Sequence, residues 1–169
     1  ENGLAYHFLI GNGRGMKDGE ISIGNRWVKQ LQGGHLASPS LNQKSIGICL
    51  VGNFDKTGPT KKQIASLDGL TTYLLRRCRL KVSAVKTHKQ INPIGTRCPG
   101  ARFPFKALLK ELDRLNQQHH RQSCGGGCRA QLISFIRIRL YSIWPRSPSS
   151  PIGPVSGPLN ADSSISPLQ

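Results

Sequence analysis

Residues Ser45–Val51 (SIGICLV) form a nearly continuous apolar run. A strand with one wet face alternates polar and apolar residues. A run like this is the pattern of a strand buried on both faces. The chain must therefore place layers on both sides of a sheet. Upstream, residues 4–10 (LAYHFLI) read as a strand, Gly11-Asn12-Gly13-Arg14-Gly15 as a reversal, and residues 21–27 as the returning strand. Residues 29–42 read as loop and 52–59 as a turn region. The clearest helix opens after Pro59, with Thr60 and Gln63 at capping-box spacing. Its stripe is Ile64, Leu67, Leu70, Leu74, Leu75 and Cys78. Arg76, Arg77 and Arg79 crowd its last turn, where cations complement the negative end of the helix dipole. Residues 82–88 read as a short strand, 89–103 as a Pro/Gly-rich loop, and 104–118 as a second helix. The order β-β-β-α-β-α gives the expected fold class: α/β, a mixed central sheet flanked by helices.

Charge narrows the chemistry. The chain has 169 residues, with 24 Lys and Arg against 8 Asp and Glu, a formal charge of +16. So few carboxylates argue against a two-carboxylate mechanism or an all-oxygen calcium site, and leave His, Cys, Tyr or a metal to do the work. Residues 1–121 hold 20 of the basic and 7 of the acidic groups, so the excess belongs to the body. Such a field draws polyanions of any kind: nucleic acid, anionic lipid or phosphate-rich wall polymers. A specific nucleic-acid partner is not expected, because most of the ten aromatic residues sit in apolar strand or helix patterns. No apolar run approaches the roughly 18–20 residues of a membrane-spanning helix, and the chain opens at Glu1 with no leader to read. The five cysteines, an odd number, argue against a disulfide framework. Cys49 and Cys78 read as core.

Composition shifts after residue 121. Cys124 and Cys128 flank three glycines, too flexible a pair to form a zinc knuckle alone. In residues 131–144, Phe135, Arg137 and Arg139 alternate with Ile136, Ile138 and Leu140, as in a cationic edge strand, a surface tether or a C-terminus foreign to the domain. Of the 25 residues 145–169, 15 are Pro, Ser or Gly, a composition that cannot offset its ordering entropy. The expected organisation is one domain over residues 1–121 and a largely disordered tail of no assigned function over 122–169.

The segment richest in chemistry is residues 87–100, THKQINPIGTRCPG. It sets an imidazole, His88, at a strand end and a thiol, Cys98, beyond a loop long enough to fold back. Zinc takes N and S donors of this kind, and a catalytic site needs three protein ligands plus an open position. By spacing alone, a surface histidine and a half-buried cysteine on a plain loop remain the other reading.

The pieces YHFLIGNG, GGH, SIGICLVGNF, PTKKQ and THKQINPIGTRCPG occur in that order. Together they resemble the zinc-dependent N-acetylmuramoyl-L-alanine amidases of type 2, a family that includes short bacteriophage amidase lysozymes and peptidoglycan recognition proteins. The resemblance spans roughly residues 1–117. It implies hydrolysis of the amide between N-acetylmuramic acid and L-alanine, peptidoglycan or its muropeptides as partner, Zn2+ as cofactor, a monomer, and a place in the cell envelope, periplasmic or extracellular. It implies His88 and Cys98 as two of three zinc ligands. Tyr6 and Thr96 are implied as catalytic groups beside the oxyanion, and His35 and Asn42 as substrate contacts; His7, on the opposite strand face from Tyr6, reads as structural. The third ligand in that family is a histidine on a strand upstream of the YHF motif. That strand is absent here, as in an N-terminally truncated amidase, and its loss is expected to open a sheet edge. Thr96 stands where the phage lysozymes carry lysine, and Cys49 where another branch carries a catalytic glutamate, which places the chain nearer the tyrosine-using branch. The alternative within this resemblance is a non-catalytic peptidoglycan-binding module.

Overall fold

The computed structural model describes residues 3–92, 95–123 and 137–143. Strand β1 (Phe8–Ile10) pairs antiparallel with β2 (Ile21–Ile23) and parallel with β3 (Ser45–Val51). Two short helices, α1 (Asn25–Val28) and α2 (Pro39–Gln43), lie between β2 and β3. The long helix α3 (Lys61–Arg77) follows, then a 3-10 turn (Val82–Ala84), β4 (Val85–Thr87), α4 (His88–Ile91) and α5 (Phe105–Ser123). A last strand, β5 (Arg137–Ile143), completes a five-stranded mixed sheet of order β2-β1-β3-β5-β4.

Every residue of β3 is buried, as its apolar run requires. On one sheet face Phe8, Ile10, Ile46, Ile48 and Leu50 join Leu67, Leu74 and Leu75 of α3 and Leu108 and Leu112 of α5 in the main core. The other face carries a smaller cluster: Leu36 and Cys49, with Tyr6, Leu9, Leu41, Ile91 and Cys98 packed on it. The capping box forms as read. The Thr60 side chain accepts from Gln63 N–H, and the Gln63 side chain accepts from Thr60 N–H. Gln63, 1 % exposed, also donates to the carbonyls of Val51 and Ile10 at 2.9 and 3.3 Å. One side chain thus starts the helix and ties it to the ends of β1 and β3.

Several boundaries differ from the sequence reading. The strand expected over 21–27 stops at Ile23 and turns into α1. The loop expected over 29–42 contains α2, capped by Ser38. His88 opens helix α4 instead of ending a strand, because Thr87 forms a second capping box with Gln90. The largest difference is β5. Residues 137–143, expected in the tail, lie between β3 and β4 and pair parallel with both. The strand is interior, where an edge strand was one expectation. Cys124, Cys128 and the Pro/Ser-rich segment lie outside the described residues.

Candidate functional site

The predicted residues come from four elements that meet on the sheet face away from α3. Tyr6 precedes β1, Cys49 stands in β3, His88 opens α4, and Thr96 and Cys98 lie on the loop after α4. The Tyr6 hydroxyl donates to the Cys49 thiol, and Cys98 lies close enough to act on the titration of both. Burial pushes the Tyr6 phenol up, and the neighbouring cysteine sulfurs add to the shift. Tyr6 is therefore a neutral donor throughout the physiological range. Cys49 is fully buried and held as a thiol for the same first reason.

Cys98 is drawn to His88 through the backbone: Lys89 N–H donates to the Cys98 carbonyl at 3.0 Å. Burial lowers the pKa of His88, which keeps the imidazole neutral, and its Nε2 lies 3.4 Å from the Asn92 amide nitrogen. The Thr96 hydroxyl oxygen accepts from Cys98 N–H at 3.1 Å, closing a small turn in front of the thiol.

A residue that sequence reasoning passed over holds this loop. One Asp55 oxygen accepts from Ala101 N–H at 3.0 Å and the other meets Arg97 Nε at 3.2 Å. Arg102 N–H donates to the Phe54 carbonyl at 2.7 Å. Gly100 packs so tightly here that a Cβ would lie 2.4 Å from the Phe54 carbonyl carbon, and its φ is +107°. The available signal was an acidic residue in a chain with only 8 of them.

His35 and Asn42, expected to touch substrate, are both 7 % exposed and engaged internally. The Asn42 amide oxygen accepts from the N–H groups of His35 and Leu36, and its nitrogen donates to the Leu36 carbonyl. The His35 ring nitrogens lie 3.1 Å from Ser45 Oγ and 3.3 Å from the Ala5 carbonyl. The ring stacks near Tyr6 with centroids 6.2 Å apart. Gly47 permits this placement, since a Cβ there would come within 2.7 Å of the His35 ring. This geometry suits the two residues to holding Tyr6 in place. His7 turns the other way. Its Nδ1 accepts from Gly47 N–H at 3.0 Å, so the ring proton sits on Nε2, 3.2 Å from the Leu31 carbonyl.

Residues 1–101 match the family described as N-acetylmuramoyl-L-alanine amidase. The chain belongs to this family. It is 32 % identical over 98 residues to peptidoglycan-recognition protein SC2 of Drosophila simulans and of Drosophila melanogaster, covering 57 % of this chain and 47 % of theirs. Among solved structures it resembles the N-acetylmuramoyl-L-alanine amidase LysC from Clostridium intestinale URNW, with 31 % identity and a TM-score of 0.55 over 64 % of each chain. The chain thus spans about half the length of these curated relatives and under two thirds of that solved structure.

Amidases of this family typically use zinc. His88 offers a neutral ring nitrogen and Cys98 a sulfur, both suited to zinc. Among the described residues, no third His, Cys, Asp or Glu joins them in a group able to hold a metal. The described donors therefore fall short of the three a catalytic zinc requires. Among the described residues no helix is long and apolar enough to cross a membrane.

Proposed function

We propose that this chain is a peptidoglycan hydrolase of the cell envelope that cleaves the amide between N-acetylmuramic acid and L-alanine. The observation that supports this best is the meeting of a neutral phenol, Tyr6, with Cys98 and, one backbone hydrogen bond away, His88, all within the matched residues. An amide carbonyl under attack develops negative charge on oxygen, and a donor that keeps its proton stabilises that charge. The Tyr6 hydroxyl donates to a thiol, a weak acceptor, so turning that hydrogen bond to a substrate oxygen costs little. Thr96 accepts from Cys98 N–H and keeps its own O–H to donate. His88 and Cys98 are the residues fitted to contribute to a zinc site. A zinc held there would supply carbonyl polarisation and an activated water. Because the described donors are one short, the steps assigned to this chain are those of Tyr6 and Thr96 alone.

The lack of a third donor among the described residues favours one second reading, a module that binds muropeptides without cutting them. Zinc content after exhaustive dialysis, measured beside a Cys98→Ser variant, is paired with release of peptide from purified peptidoglycan and with co-sedimentation on it. About one zinc per chain, lost in the variant, together with peptide release, is the expected result. Sedimentation without zinc or release selects the binding module. Absence of all three refutes both readings.

A further inference from the structure

The loop that carries Cys98 meets the turn that follows β3. In that turn Lys56 N–H and Thr57 N–H both donate to the Asn53 carbonyl, and Asp55 N–H donates to the Asn53 side chain at 3.2 Å. The backbone under Asp55 is thereby fixed, and its carboxylate faces the loop. One oxygen takes Ala101 N–H at 3.0 Å and the other meets Arg97 Nε at 3.2 Å. Cys98 lies between these two contacts in sequence. One carboxylate thus ties down the stretch 97–101 at both ends, with the thiol inside it.

The two contacts are unequal. The Arg97 side chain is 82 % exposed, and an ion pair in such a place contributes little, because water and salt screen it and a long side chain loses freedom in making it. The Ala101 contact uses a backbone N–H, which has no rotamer to order, and a carboxylate is a stronger acceptor than a neutral group. The hold therefore rests on the hydrogen bond to Ala101. Contacts further along do a different job. Arg102 N–H donates to the Phe54 carbonyl at 2.7 Å, and the buried rings of Phe54 and Phe103 pack with centroids 5.8 Å apart. They anchor the far end of the loop whatever stands at position 55. On the near side, the Cys98 carbonyl accepts from Lys89 N–H at 3.0 Å, in the first turn of α4.

We propose that Asp55 is a positioning residue for Cys98. Through Ala101 N–H it sets the Cys98 segment against the end of β3, the strand that carries Cys49, and against α4, which His88 opens. Tyr6 and Cys98 pack on the same small cluster as Cys49, so the carboxylate keeps the loop side and the strand side of that cluster together. The assignment rests on the reading of Cys98 as a site residue; Asp55 itself acts through the loop backbone and touches no reacting atom.

The test is amide hydrogen exchange on the full chain in four proteins: wild type, Asp55→Ala, Asp55→Asn and Arg97→Gln. It is paired with kcat and KM for peptide release from a soluble N-acetylmuramoyl peptide. Exchange at Lys89 N–H should be about fivefold faster in the alanine variant, the opening expected from loss of one ordinary hydrogen bond. Asparagine keeps an acceptor oxygen for Ala101, so that variant should stay close to wild type, as should Arg97→Gln. Exchange at Arg102 and at Ile48 in β3 should be the same in all four, whereas a general loss of stability would speed these sites as well. The alanine variant should lose kcat at nearly constant KM, and asparagine should restore it. Unchanged exchange at Lys89 in the alanine variant, an asparagine variant as fast as alanine, or equal acceleration at Ile48 would each overturn the assignment. So would an Arg97→Gln variant that matches alanine, since the ion pair would then be the hold. Absence of peptide release from wild type tells against the hydrolase reading, while exchange at Lys89 still decides the role of Asp55.

Discussion

Strand β5 offers the most demanding test of this architecture. It forms seven residue pairs with β3 and three with β4. Among the described residues β4 has no other strand partner, and His88 is the residue immediately after β4. The position of a candidate donor therefore depends on a segment about fifty residues downstream. Alternate residues of an interior parallel strand bond to opposite neighbours, so in the paired stretch every N–H is used. At about 0.5–1.5 kcal/mol net per hydrogen bond, and about one bond per pair, the two ladders contribute on the order of 10 kcal/mol. That is comparable to the whole stability of an ordinary domain. Arg139 is registered with Gly47 on one side and Lys86 on the other. Arg139→Pro removes one N–H and drives a ring into the ladder, a loss of about 3 kcal/mol or more; Arg139→Ala keeps the N–H and serves as control. Urea denaturation should show a clearly lower midpoint for the proline variant, and amide exchange should show faster exchange at Val85–Thr87. Equal midpoints for the two variants, with β4 equally protected, would refute the placement of β5 and the dependence of His88 on it.

Three further outcomes follow from the site and the core. Gly100→Ala places a methyl against the Phe54–Asp55 backbone at a positive φ, and should cost about 3 kcal/mol. An unchanged thermal midpoint, with unchanged metal binding at Cys98, would count against that packing. Thr60→Ala removes one half of the α3 capping box and should cost about 1 kcal/mol, read as a shift in the urea midpoint. Asp68 has its pKa raised to about 6 by burial and by Glu111, so the folded state binds the proton more tightly than the unfolded chain. Its penalty is absent below the unfolded pKa of about 4 and grows as pH rises through about 6. Asp68→Asn should therefore stabilise the protein by about 1 kcal/mol at pH 7, after allowance for solvent screening, and the gain should vanish in urea melts near pH 3.5; a gain that persists there points to a cause other than this titration.

The sequence and the structure agree where neighbouring residues decide the outcome. The apolar run of β3, the capping box and stripe of α3, and the second long helix are local patterns. Each matches its element to within a few residues, except that α5 runs on to Ser123. The motif order that carried the resemblance agrees with the family match over residues 1–101. The return of the Cys98 loop to the start of α4, where Lys89 N–H meets the Cys98 carbonyl, was also legible, since a loop rich in Pro and Gly returns naturally on itself.

What the local pattern did not carry was partnership over distance. Nothing beside Asp55 in the chain announces that it will hold the Cys98 loop, because its partners Arg97 and Ala101 lie more than forty residues away. His35 and Asn42 read as groups that face substrate, but their polar atoms are used on backbone and on Ser45; burial and hydrogen bonding are properties of the assembled fold. The alternating basic and apolar residues around Arg137–Ile143 read as a cationic edge strand, a surface tether or a foreign C-terminus. The place of β5 between β3 and β4 depends on backbone groups that those two strands leave to be paired, and that need exists only once the sheet is built.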